Sequence, residues 1–165
     1  MSMSMASNAP SSFLKRFVIA YAITFAIQAL GGYFTQMGIG SGWYASLQRS
    51  PLTPPGMWFG IVWTALYILM ALAAARISHI TGQWNNRPLR WWFIQLFAGF
   101  VWCIVFFGLR DITLGMAVLA CSWLFVLLTV VGFWRINRRA GYLLVPLLAW
   151  VSFASYLNAY IVTHN

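Results

Sequence analysis

Five long stretches of this chain carry no charge and few polar groups: residues 17–34, 56–75, 91–109, 112–134 and 140–162. Each holds about 18 to 23 residues, enough at 1.5 Å per residue to cross a hydrocarbon core of about 30 Å. Backbone polar groups left bare in lipid are not tolerated, so each run is expected to be a helix. A closed β-barrel would need short alternating segments, and the pattern has none. The predicted fold is an all-α membrane protein, a five-transmembrane-helix bundle. The leader at residues 1–12, MSMSMASNAPSS, is small and polar and is expected to be disordered, leaving 13–165 as one transmembrane domain. The first run is too long for a signal-peptide core and lacks a small-x-small cleavage site, so it is expected to be retained. Short connections after the first loop, residues 35 to 55, favour antiparallel packing of sequential neighbours.

Composition agrees. Of 165 residues, 62% are hydrophobic and 7% charged, with a mean hydropathy of +0.78. An ordinary soluble domain has about 25% charged residues, so polar groups here are too few to cover a surface in water.

Ten Lys and Arg stand against a single acidic residue, Asp111. In a soluble chain this imbalance would suggest nucleic acid. Here the basic residues fall in short loops, where topology and anionic headgroups account for them, and no nucleic-acid partner is expected. Lys15, Arg16, Arg76, Arg87, Arg90, Arg135, Arg138 and Arg139 fall on one side; Arg49 and Arg110 fall on the other. This bias predicts a cytoplasmic N-terminus and an outward first loop. It suits a bacterial inner membrane, with an outer membrane as the alternative.

Aromatic residues recur at helical spacing. Phe59, Trp63 and Tyr67 lie at i, i+4 and i+8 in the second run, followed by Met70. Pro146, Trp150, Ala154 and Asn158 repeat the step in the fifth, beside Leu157; Gln95, Gly99, Trp102, Cys103 and Phe106 form a third stripe. The bland reading is packing. Against it, Trp63 and Trp150 fall deep in their spans, away from the interfacial belt where Trp collects, and their N–H groups need partners there. Small residues on the same faces leave room for a flat aromatic ligand. Gln95 and Asn158 suit interhelical hydrogen bonds better than ligand contacts. Gly99-x-x-x-Cys103 is a small-x-x-x-small pair able to bring two helices close, a weak dimer signal. Cys103 and Cys121 read as small buried hydrophobes, and His79 and His164 as solvated residues at span ends.

No carboxylate pair, Ser-His-acid set, phosphate-binding loop or metal-ligand cluster is present in the sequence. No charge lies mid-span to relay protons. Neither a cofactor nor a metal is expected, and conventional acid–base catalysis has no residues to carry it.

Trp43-Tyr44-x-x-Leu47, then Thr53-Pro54-Pro55, then Phe59-x-x-x-Trp63-x-x-Leu66-Tyr67-x-x-Met70 resembles the TspO/translocator protein family, the tryptophan-rich sensory proteins. The run from Gln95 to Gly108 is similar to that family's Q-L-x-x-N-x-x-W-x-x-x-F-F-G, and AGYLLVPLLAWVSFASYLN, ending at Asn158, to its fifth span. The resemblance covers nearly the whole chain. It implies a five-helix bundle, usually a homodimer, that binds porphyrins and other flat hydrophobic molecules beneath the first loop. By matching positions Phe59, Trp63, Trp150, Ala154 and Leu157 would line the pocket, with Trp43 and Tyr44 in a proline-stiffened lid. Tyr67, Gly99 and Asn158 complete the expected ligand-binding set. Animal relatives also bind cholesterol and benzodiazepine-type drugs. The chain departs from the family at Leu52, where the lid tryptophan stands, at Gly99, where an asparagine stands, and at Leu147, where a tyrosine stands. No Lys or Arg follows Tyr160, as the cholesterol motif requires.

Three functions follow as expectations. The first is binding of tetrapyrroles for sensing, regulation or transport. The second is light-dependent porphyrin breakdown, in which Trp63 and Trp150 would be the reactive residues. The third is a scaffold whose pocket is vestigial.

Overall fold

The computed structural model describes residues 10–165. The described chain is helical: α1 is Pro10–Gly40, α2 Trp43–Ser46, α3 Gly56–Thr81, α4 Arg87–Cys103, α5 Ile112–Ile136 and α6 Arg138–His164. Five of these are long and apolar enough to cross a membrane; α2 is a single turn in the first loop. The long helices extend past their charge-free stretches at charged residues such as Arg76 in α3, Arg87 in α4 and Arg138 in α6. Thus α1 takes in residues 10–12 of the expected leader and six residues beyond Phe34. Residues 1–9 of that leader lie outside the described residues.

Polar residues stop and start the helices where the pattern changes. Asn86 accepts from the Leu89 amide at 3.0 Å and caps α4. Asp111 caps α5, accepting from Thr113 and Leu114. Asn137 caps α6 through the Ala140 amide and accepts a second bond from Arg76 Nε at 2.9 Å, tying α3 to the α5–α6 turn. Each cap satisfies amides that the first helical turn leaves unpaired.

The helices form a ring in the order α1, α3, α6, α5, α4, which closes on α1. Sequential neighbours are therefore not always adjacent: α3 and α4 barely touch, because α1 lies between them. The core at the end away from the first loop depends on small residues. Ala71, Ala73, Ala74 and Ala75 of α3 are all fully buried and let neighbouring helices approach closely. Leu89, Trp92 and Leu96 of α4 and Leu144, Leu147 and Val151 of α6 fill the same core.

Gly99 and Cys103 also act within the chain. A Cβ on Gly31 of α1 would stand 3.1 Å from Cys103 Sγ, and one on Gly99 would stand 3.7 Å from Gln28 Nε2. Within the chain the small-x-x-x-small pair thus serves the α1–α4 contact. Cys121 is exposed on the outer surface of α5, not buried as expected. His79 lies within α3, half-buried, with its ring edge-on to Phe13 at 5.8 Å and its Nδ1 buried. His79 is therefore not a solvated loop residue, because α3 continues to Thr81.

Candidate functional site

Helical spacing does bring the expected aromatic residues of α3 and α6 together. Trp63 and Tyr67, one turn apart, lie at 5.6 Å between ring centroids, and Phe59 meets Trp150 of α6 edge-to-face, also at 5.6 Å. Such pairs add about 0.5–1.5 kcal/mol each beyond area burial. Trp63, Tyr67, Trp150 and Ala154 all pack on the main core, and Leu157 is buried one turn further along α6. Met70, next on the α3 stripe, is buried beneath them.

Trp150 does not end as a satisfied core residue. Its Nε1–H is buried and has no acceptor among the described residues; Gln95 Nε2 and Trp92 Nε1 on α4 share that condition. A buried donor left unpaired costs about 1–3 kcal/mol.

The lid residues go elsewhere. Trp43 and Tyr44 on α2 rest against Phe106 at 5.5 and 6.4 Å, and Tyr44 also meets Phe107 at 5.5 Å. Together with Leu47, Trp102, Ile112 and Ile161 they make a second cluster at the loop end of the ring. Residues Ile104–Gly108, after α4, form a π-helical turn, closed by the Leu109 amide donating to the Ile104 carbonyl at 2.8 Å. The wider turn is what buries three successive residues, Val105, Phe106 and Phe107. Such turns concentrate at functional positions. The doubled Phe in FVWCIVFFG was its one visible trace in the sequence, and periodicity could not have located it.

Asn158 joins α6 to its neighbours across this level. Its Oδ1 accepts from Trp102 Nε1 at 3.1 Å, and its Nδ2 donates to the Ile112 carbonyl at 3.1 Å. The interhelical role is the one the geometry displays, with both polar atoms of the amide engaged. Gly99 faces Gln28 of α1 rather than the α3–α6 aromatics.

Sequence reasoning missed what holds the first loop in place. The side chain of Asn165, just past α6, pairs with both backbone groups of Gln48: Oδ1 accepts from its amide at 2.9 Å, and Nδ2 donates to its carbonyl at 3.2 Å. Ser50 Oγ lies 3.2 Å from Tyr156 Oη. Arg49 places its guanidinium 5.1 Å above the Tyr44 ring. Burial raises the Tyr44 phenol above its ordinary value, and the Arg49 charge partly offsets this. Leu52, at the family's tryptophan position, is exposed.

A concavity of about 530 Å³ lies on the outer side of α3, against Met57, Gly60, Ile61, Thr64, Ala65 and Ile68. Among the described residues no group of His, Cys, Asp and Glu could hold a metal ion.

Five apolar spanning helices, a capped first loop and aromatic residues facing one another between α3 and α6 define a multi-pass integral membrane protein. Residues 19–163 match the model of the TspO/MBR family. The chain belongs to that family. It is 34% identical over 140 residues to Protein CrtK of Rhodobacter capsulatus, covering 84% of this chain and 88% of that one. It is 37% identical over 116 residues to a tryptophan-rich sensory protein of Cereibacter sphaeroides, covering 70% and 72%. To the translocator protein of Sus scrofa it is 30% identical over 138 residues, covering 80% and 82%.

Proposed function

We propose that this protein binds a flat hydrophobic ligand of the tetrapyrrole class between α3 and α6, beneath the lid. One observation carries the proposal: Trp150 Nε1 is a buried donor without an acceptor, set in an aromatic wall with Phe59, Trp63 and Tyr67 nearby. A porphyrin offers both a π-face for these rings and peripheral carboxylates as acceptors for the indole. Parting the Phe59–Trp150 contact admits it, and Ala154 and Leu157 form the floor. Trp43 and Tyr44 stand on the Phe106 cluster and act through the lid.

The reading is tested by quenching titrations of protoporphyrin against the full chain in detergent. Trp63→Ala and Trp150→Ala are expected to weaken binding by about tenfold or more, from lost stacking and hydrogen bonding. Unchanged titration curves in both variants would overturn it. Illumination of the same complex separates binding from breakdown, since only breakdown yields a new absorbing species that needs both tryptophans. We further propose a bacterial inner membrane, a cytoplasmic N-terminus and a homodimer; the eight basic residues at one end of the ring support the orientation, and the family resemblance supports the dimer.

A further inference from the structure

At the basic end of the ring a cleft of about 300 Å³ opens between the second turn of α1 and the α3–α4 connection, lined by Ser12, Lys15, Arg16, Ile19, Gly82 and Trp84. Arg16 does not extend freely into solvent. Its guanidinium donates to Ser78 Oγ, on a fully buried residue of α3, and to the Gly82 carbonyl at 3.2 Å. Gly82 has a φ of 72° and ends α3, a left-handed turn that glycine makes without strain. Both acceptors are neutral, so they fix the guanidinium without cancelling its charge.

Nothing else in the chain cancels it. The sole acidic side chain, Asp111, caps α5 at the opposite end. Arg76, Arg87, Arg90, Arg135, Arg138 and Arg139 share the end with Arg16 and Lys15, and each adds to the positive field. Trp84 packs its ring on the core and forms one wall of the cleft. Ile19, a turn deeper toward the bilayer centre, is 37% exposed and leaves an apolar floor facing lipid.

A fixed cation, an exposed lysine and a hydroxyl lie above an apolar floor at the basic end of the ring, and this is the chemistry of a phosphodiester with an acyl chain attached. We propose that the cleft holds one anionic phospholipid of the leaflet at the basic end. Its phosphate is bound by Arg16 and Lys15, and its chain lies along Ile19. A topology signal requires only a count of positive charges; it does not require a guanidinium anchored to a neighbouring helix beside an open cleft. The occupant also bridges α1 and the α3–α4 turn, which Arg16 already joins through the Gly82 carbonyl.

The test is native mass spectrometry of the full chain in detergent, titrated with phosphatidylglycerol, with phosphatidylcholine of the same acyl chains, and with inorganic phosphate. One phosphatidylglycerol per chain is expected to be retained in preference to phosphatidylcholine. Lys15→Ala and Arg16→Gln should each lower its occupancy about fivefold, whereas Arg139→Ala, an equal loss of charge outside the cleft, should change it by less than about twofold. Where Arg16→Gln reduces helicity, the exposed Lys15 carries the test. Equal retention of the two lipids, or an equal effect of Arg139→Ala, would overturn the site. Displacement of phosphatidylglycerol by millimolar inorganic phosphate would reassign it to the free anion and overturn the lipid.

Discussion

Trp150 carries one atom that its packing leaves unsatisfied. Its ring is paired with Phe59 and contributes to the core, but its Nε1–H is buried with no acceptor. Trp150→Phe keeps most of the ring and removes that donor. Without ligand the variant is expected to gain about 1 kcal/mol, since an unpaired buried donor is deleted. With porphyrin it is expected to lose roughly threefold to tenfold in affinity, the worth of one hydrogen bond. Thermal melts of the free protein and a quenching titration measure the two effects, which carry opposite signs only if the donor serves a ligand. Trp102 provides the contrast: its indole is satisfied by Asn158, and Asn158→Leu should destabilise the fold by about 1–3 kcal/mol in the same melts by stranding it.

At the scale of elements, a glycine contact and the first loop set two separate constraints. A Cβ on Gly141 would stand 2.9 Å from both Cα and Cβ of Trp134, so α5 and α6 leave their shared turn in direct backbone contact. Gly141→Leu has no flexible neighbour to displace and should cost about 1–3 kcal/mol, read as a lowered midpoint of detergent denaturation. The lid is held by Asn165 and by polar and aromatic contacts. Burial raises the Tyr44 phenol in the folded state, so its neutral form is the one the lid accommodates. That contribution is complete below the unfolded phenol value of about 10 and is lost as pH rises through the higher folded value. Hydrogen exchange over residues 43–55 should therefore accelerate in alkali in the wild type, and Tyr44→Phe should remove the part due to Tyr44.

Over the whole molecule, the alternating direction of the five long helices gathers eight basic residues at one end and leaves Arg49 and Arg110 at the other. With Cys103→Ala and Cys121→Ser as background, a single cysteine at Arg49 should react with an impermeant maleimide on spheroplasts, and one at Arg139 should not. The reverse pattern would invert the proposed orientation. The ring order accounts for the correction to sequential packing. With α1 between α3 and α4, the α3–α6 seam becomes the place where two aromatic stripes meet.

Span number, helical state and charge asymmetry were legible in the sequence, because length and the absence of charge decide them through local physics: a bare backbone in lipid must pair with itself. The aromatic stripes on α3 and α6 were legible as well, since helical spacing places residues on a face without reference to a partner. Which face meets which neighbour depends on packing between helices distant in the chain. Only the tertiary structure therefore showed Gly99 and Cys103 turned to α1, and Cys121 exposed on the outer surface of the ring. The same packing separated Trp43 and Tyr44 from Trp63 and Trp150, and a change in helical period that turns three successive residues inward placed Phe106 and Phe107 beneath the lid.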